Sequence, residues 1–584
     1  MKHEIQKLIT DALLNLNIEV SDIVVEHPTD LKMGDYSTNV AMVIAKSIGH
    51  PPAGGPKELA GKIVTEILRL NTDKNIEHVE VAGAGFINFH LSRNFFAHSV
   101  EDILNSGADV GKNDSLSGQK IMVEYTDPNP FKPFHIGHLM TNAIGESIAG
   151  ILEHSGASVS RANYQGDVGP HVAKAIYGLM QDKKLQDKMS SHANNIKQAG
   201  NIGKAYVEGS EAYENENNPL AKKEIDEINT KIYDKSDPKV NEVYDWGFKV
   251  TMEAFEDLYK LLGTKFEFYF LESMVAILGI EAVKNNMGEV FEESDGAVVF
   301  KAEKYNKEGQ PKLHTRVFLT SKGLPTYETK ELGLTEEKFA RMPDMNLSIV
   351  ITANEQMDYM RVVAKALSLI HPKYESKMKH ITHGMMRLAA GKMSSRKGNV
   401  VTGESLIRDT IALVSEKLKE RDWDEEQKNK VAEVVGIAAL KYSILKQSTG
   451  GDIAYDFEKS ISFEGDSGPY LQYSYARANS VIEKSQRENI LPDPHAFGEE
   501  IFEIEKLLYK FPEVVERASR EYEPHYIANY LIEVARSYNS FYGNTIIVNK
   551  EDKTSGYKIA LTYSFSFVMK TGLHLLGIQA PTKM

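Results

Sequence analysis

The sequence contains no cysteine in 584 residues. That excludes disulfides, thiolate-ligated zinc, iron–sulfur clusters and any thiol nucleophile. No run of 18 apolar residues occurs, so no membrane span is expected. An export signal is also missing: Ile5, Leu8, Ile9, Ala12, Leu13 and Leu16 are interrupted by Lys7 and Asp11. Their spacing is that of an amphipathic helix, and a cytoplasmic location is the expectation. Positive charge is in short supply, with 68 Lys and Arg against 82 Asp and Glu, a net charge of −14. That balance opposes general polyanion binding and confines any nucleic-acid contact to local basic patches. Internal repeats and low-complexity tracts are absent.

What remains is a globular composition, 42% hydrophobic and 26% charged, long enough for three to four domains. Residues 1–115 read as an α+β module, with helical patterns alternating with short strands around Gly34-Asp35-Tyr36-Ser37-Thr38 and His78 to Leu91. Residues 116–402 read as an α/β domain. Ile121-Met122-Val123 is a buried strand, Pro128, Pro130 and Pro133 forbid helix, and a helix follows from about His135 to His154. A second strand covers Ser158 to Tyr164, and this βαβ unit predicts a doubly wound parallel sheet. Further strands are expected at 297–300, 317–319 and 348–351. The polar stretch 185–245 reads as a helical insertion with too little apolar content for a core. From 403 to Met584 the pattern is helical, with Val431, Val434, Val435, Ala438, Tyr442 and Leu445 on one face.

Two motifs carry chemistry. His135-Ile136-Gly137-His138 stands where the proline-stiffened loop enters a helix, whose free N–H groups and positive dipole end favour phosphate. Gly137 allows a base or ribose close to the backbone, and the two histidines can donate to oxygens that gain charge in a transition state. Gly391-Lys392-Met393-Ser394-Ser395-Arg396-Lys397-Gly398-Asn399 gathers three cations and two hydroxyls between glycines, a phosphate-seeking loop. No third ligand near the histidine pair suggests a resident metal. Thr402 is a suitable N-cap for the helix that follows.

A histidine pair after the first strand and a K-M-S loop about 255 residues later resemble class I aminoacyl-tRNA synthetases. The match is most specific to the arginyl-tRNA synthetase family. It runs through Val123-Glu124-Tyr125-Thr126-Asp127-Pro128-Asn129-Pro130-Phe131-Lys132-Pro133-Phe134-His135-Ile136-Gly137-His138, Asn163 to Gly169, Lys392 to Val401, Ser462 to Tyr473 and Gly577 to Met584. The resemblance implies a Rossmann-type catalytic domain, an N-terminal module touching the tRNA elbow and an all-helical C-terminal anticodon-binding domain. It implies activation of L-arginine by ATP with Mg²⁺ to arginyl-adenylate. Transfer to the 2′-hydroxyl of the terminal adenosine of tRNA(Arg) follows, generally only once tRNA is bound, in an enzyme acting as a monomer.

By the same resemblance, His135, His138, Lys392, Ser394, Arg396 and Lys397 act in catalysis. Gly137, Gly384 and Met393 join the histidines around ATP. Glu124 and Asn129 hold the amino-acid ends of arginine, and Tyr327 and Glu331 take its guanidinium, with Gln356 nearby. Tyr542 and Met584 contact tRNA. Two departures stand out: Glu331 replaces the family's usual Asp, and Ser395 occupies the place of the loop's second lysine, leaving Arg396 or Lys397 to supply that charge. Zero cysteine argues against a cysteinyl-type enzyme. The intact histidines, Lys392 and Ser394 argue against a non-catalytic tRNA-binding paralogue.

Overall fold

A computed structural model describes residues 1–20, 22–47, 55–72, 74–190, 195–389 and 401–584. The predicted site residues Lys392, Met393, Ser394, Arg396 and Lys397 lie outside the described residues.

The centre is a five-stranded, wholly parallel sheet: β1 (Lys120–Glu124), β2 (Ser158–Gln165), β3 (Phe268–Leu271), β4 (Leu347–Ala353) and β5 (Met378–His383). Its spatial order is β5-β4-β1-β2-β3. The order reverses direction between β1 and β4, so the connections leaving those two strands diverge and open a crevice at the carboxyl edge. Helix α1 (Ile136–His154) follows β1, α2 (Glu272–Asn285) follows β3, and α3 (Tyr327–Arg341) precedes β4. Met122, Ile349 and Ile351 are buried because the sheet is covered on both faces, which explains the unbroken apolar runs. The strands at Ala297–Phe300 and Arg316–Leu319 do not join this sheet. With Glu292–Ser294 they form a separate antiparallel sheet beside it.

The region 185–245 departs from expectation. Its helices, Leu185–Met189, Asn195–Glu214, Pro219–Asp234 and Pro238–Leu262, do carry a core. Ile202, Ile225, Ile228, Ile232 and Val243 pack with Val172 and Ile176 of the preceding helix. The apolar stripe is narrow, one residue every three or four, and the many Lys and Glu on the outer faces mask it in composition.

The N-terminal module is a three-stranded antiparallel sheet with helices, docked on the C-terminal region. Tyr36 Oη donates to Glu513 at 2.5 Å, and the His27 ring lies 3.1 Å from the same carboxylate. Beyond residue 403 the chain is helical, apart from the strand Ile453–Tyr455, which pairs in parallel with Met386–Leu388. The last helix ends at Leu575, and the final nine residues form a non-helical tail rather than a continuing helix. Among the described residues no helix is long and apolar enough to cross a membrane.

Candidate active site

The loop after β1 is tightly bent. Thr126, Asp127 and Phe131 adopt left-handed backbone conformations, with φ of 78°, 44° and 66°. Such strain in residues with side chains persists where surrounding contacts hold it, and it gathers at functional sites. Phe131 is buried under the insertion, its ring 5.7 Å from that of Tyr244. Asp127 Oδ1 accepts from Tyr164 N at 2.7 Å, and Asn129 Oδ1 accepts from Gly166 N at 3.0 Å, so the loop is pinned to the end of β2.

Where this loop enters α1, the His135 and His138 rings stack with centroids 3.4 Å apart. The backbone N–H of His135 donates to His138 Nδ1 at 3.2 Å. Nδ1 is therefore the acceptor nitrogen, and the ring's proton sits on Nε2. Burial, then the neighbouring His135 and Lys132, push the His138 pKa well below the ordinary histidine value, so the ring stays neutral. Its capping role and its donor role come from one arrangement. A side chain at Gly137 would come within 2.9 Å of the His135 ring, so glycine lets that ring lie across the helix start.

Lys132, which the motif match includes without a role of its own, is a functional candidate here. Its charge depresses both histidines, its own pKa is lowered chiefly by burial, and its ammonium lies 5.5 Å from the Tyr206 ring. Among the described residues it forms no ion pair. Thr402 pairs with His135 across a β-bridge, and Gly403 N donates to Phe134 O at 2.8 Å. The start of the helix that follows the K-M-S motif in sequence is thus anchored beside His135.

On the β5 side, His383 is buried and its Nδ1–H donates to Gly384 O at 2.7 Å. Its Nε2 is left as a buried acceptor without a partner among the described residues. A Cβ at Gly384 would collide with the Gly451–Asp452 backbone, so packing requires glycine there.

The second half of the crevice is acidic. Glu124, at the tip of β1, is buried, with Oε2 2.7 Å from Lys338 Nζ on α3, yet that oxygen has no aligned hydrogen bond. Glu272, the first residue of α2, pairs with Lys330. Glu331 is half-buried. Burial first, then the Glu124 carboxylate, push its pKa up to about 8 against the pull of Lys338. Tyr359 Oη lies 3.5 Å from Glu331 Oε1. Tyr327, 71% exposed, stands at the rim, and Lys330 Nζ lies 5.2 Å from its ring. Gln356 ends the short turn that leaves β4 at the switch point. Asp127 faces the same group: burial and Glu124 raise its pKa well above the usual carboxylate range.

The fold thus brings Glu124, Asn129, Glu331 and the histidines to one sheet edge, and adds Asp127, Glu272, Lys338 and Tyr359. Glu272 had a usable signal, an acidic residue where a strand gives way to a helix. The others depend on long-range packing.

A further cavity of about 510 Å³ lies in the helical region, lined by Arg421, Phe463, Tyr470, Tyr473, Arg477 and Met584 among others. The Arg477 guanidinium lies 4.9 Å from the Tyr473 ring and 5.0 Å from the Tyr542 ring. Tyr542 is 42% exposed, whereas Tyr475, Tyr538 and Phe541 are core.

Comparison with known proteins accords with this arrangement. Residues 99–457 match the model for tRNA synthetases class I (R), catalytic domain. Residues 3–91 match the arginyl tRNA synthetase N terminal domain, and 471–584 the DALR anticodon binding domain. An arginine–tRNA ligase of Halothermothrix orenii is 29% identical over 100% of this chain and 99% of its own length. That of Oenococcus oeni is 30% identical, with the same coverage. The arginyl-tRNA synthetase of Thermus thermophilus shares the fold with a TM-score of 0.79 at 24% identity, covering all of both chains. The chain belongs to the class I arginyl-tRNA synthetase family.

Proposed function

We propose that this chain is an arginine–tRNA ligase. The α-carboxylate of L-arginine attacks the α-phosphorus of ATP, and the bond to diphosphate breaks. The 2′-hydroxyl of the terminal adenosine of tRNA(Arg) then attacks the adenylate's carbonyl, and AMP leaves. No covalent enzyme intermediate is required. The protein's tasks are alignment of two anions and neutralisation of developing charge. The neutral His138, presenting Nε2–H, and His135 would donate to the phosphate, with Lys132 as a nearby cation and the Lys392 to Lys397 segment as the other. Mg²⁺ would arrive on the triphosphate, since that ion keeps several waters and is held largely by substrate phosphates. As the family resemblance implies, the working unit is a cytoplasmic monomer.

The observation that carries the arginine reading is the charge balance of the pocket. Four carboxylates, Glu124, Asp127, Glu272 and Glu331, face two lysines, Lys330 and Lys338. Two carboxyl groups, Asp127 and Glu331, are left without a lysine partner and with raised pKa values, ready to ionise when a cation arrives. Arginine brings two cations, and its guanidinium can engage a carboxylate by two parallel N–H donors. Glu331, with Tyr359 Oη 3.5 Å from its carboxylate, is the group best placed for it.

A pH dependence follows. Glu331 holds its proton up to about pH 8 in the free protein. Guanidinium binding favours the carboxylate and lowers that pKa, so binding below pH 8 releases a proton. Arginine affinity therefore rises with pH, by up to about tenfold per unit, and levels off above pH 8. Calorimetric titration of the full chain between pH 6 and 9 checks this. Glu331→Gln should lower the affinity and flatten the profile; an unchanged arginine KM in Glu331→Ala would remove Glu331 from the pocket.

For tRNA, Tyr542 and Arg477 offer a ring and a guanidinium to an unstacked base, and Met584 lines the cavity that Arg477 also lines. Tyr542→Ala should weaken tRNA(Arg) binding by roughly 1–3 kcal/mol, the usual worth of one base stack. Arginine-dependent ATP–diphosphate exchange should keep its KM for ATP. A loss confined to the ATP KM would contradict the assignment.

A further inference from the structure

We propose that the helical region holds a binding site for a linear aliphatic polyamine, a chain of methylenes carrying three or more ammonium groups. A cavity of about 810 Å³ opens between the helices Glu503–Leu508 and His525–Asn544 and the start of the helix Ser555–Leu575. Ser537, Ser540, Phe541 and Asn544 line it, and their spacing of i, i+3, i+4 and i+7 is one face of a helix. Asn539 stands on the opposite face and lines the other cavity, with Tyr473 and Arg477. One helix therefore separates two cavities of different character.

The floor of this cavity is apolar and its rim is anionic. Ile504, Phe541 and Tyr557 line it and are buried, and the Tyr557 hydroxyl is occupied by the Glu505 carboxylate, to which it donates. Ser537 lines it too, is only 6% exposed, and its hydroxyl has no hydrogen-bond partner among the described residues. A hydroxyl enclosed in this way keeps its acceptor for the N–H of a ligand. Glu499, Glu500, Glu503 and Glu551 are exposed lining residues, and none of them forms an ion pair among the described residues. Lys558, the lysine of the lining, is joined to Asp552 at 2.6 Å.

This lining selects its ligand. Free carboxylates repel phosphate, so the face is not a tRNA surface. A single metal ion needs its ligands gathered in one coordination shell, and no three Asp, Glu or His among the described residues are so placed. Carboxylates spread around an apolar floor match cations spread along an apolar chain. The methylenes cover Ile504, Phe541 and Tyr557, the ammonium groups reach the rim, and one N–H meets Ser537 Oγ.

The test is calorimetric titration of the full chain with spermine at low salt, without tRNA because RNA phosphates bind polyamines themselves. One saturable site is expected. Glu499→Gln/Glu500→Gln/Glu503→Gln alters exposed side chains only, so the fold should hold, and spermine should bind about tenfold or more weakly, at up to about fivefold per exposed ion pair. Ser537→Ala should weaken it by about threefold. Glu420→Gln/Glu426→Gln/Glu458→Gln removes as many charges from residues that do not line the cavity, and should bind spermine as the unaltered chain does. Putrescine, with two cations, and Mg²⁺ should each bind at least about tenfold more weakly than spermine. Tetralysine carries its cations on a peptide backbone; tighter binding than spermine would make the cavity a groove for a basic protein segment and overturn the assignment. It is also overturned if the unaltered chain shows no saturable spermine binding, if the two triple variants weaken it equally, or if Mg²⁺ binds as tightly.

Discussion

Replacing His138 with alanine should slow adenylate formation about a hundredfold to a thousandfold, while the Kd values for arginine and tRNA(Arg) stay near those of the unaltered chain. The magnitude is that of removing one preorganised donor from a site where charge builds up during reaction. The direction follows from three facts: the ring is buried, its Nδ1 accepts the His135 N–H, and its pKa is held well below the ordinary value. A neutral ring with a fixed Nε2–H adds little to a ground state already bound by other groups, and most to the crowded, highly charged phosphorus in transit. Because the ring stays neutral, this donor should not titrate between pH 6 and 8. His138→Gln retains a donor and should recover part of the rate. Equal losses in kcat and in substrate affinity would contradict the transition-state role.

Lys338→Met should destabilise the α/β domain by about 3–5 kcal/mol, the usual consequence of leaving one partner of a buried ion pair alone. Here the orphaned Glu124 carboxylate would stand beside Asp127 and Glu331, whose pKa values it already raises, with no cation to offset it. The double variant Glu124→Gln/Lys338→Met should restore most of the loss, because an uncharged pair needs no such compensation. Thermal melting of the three proteins checks the prediction; a single variant as stable as the parent would show that the pair carries no such weight.

The frame of the catalytic domain is legible in the sequence because its signals are local. Ile121 to Val123 form an unbroken apolar run, three prolines forbid helix after it, and His135 and His138 fall at the next helix start. The chemistry of the arginine pocket is not local. Lys338 pairs with Glu124 across 214 residues of chain, and nothing in the neighbourhood of either marks the other. Asp127 reads as one more letter of a motif until its backbone and its position among carboxylates are known. The insertion's core escaped notice because its isoleucines are diluted by charge, and Gly384 answers to Gly451, a neighbour that only tertiary packing brings near. Among the aromatics of the helical region, sequence alone could not separate the buried Tyr538 from the exposed Tyr542, which lie a single helical turn apart.

The most direct measurement is aminoacylation: the full chain, tRNA(Arg), Mg²⁺-ATP and each amino acid in turn, with the ester formed counted per enzyme molecule. Many turnovers with arginine, none with lysine or citrulline, and a large drop in Glu331→Gln are the predicted result. Tight tRNA binding with no ester formed from arginine under any of these conditions would contradict it.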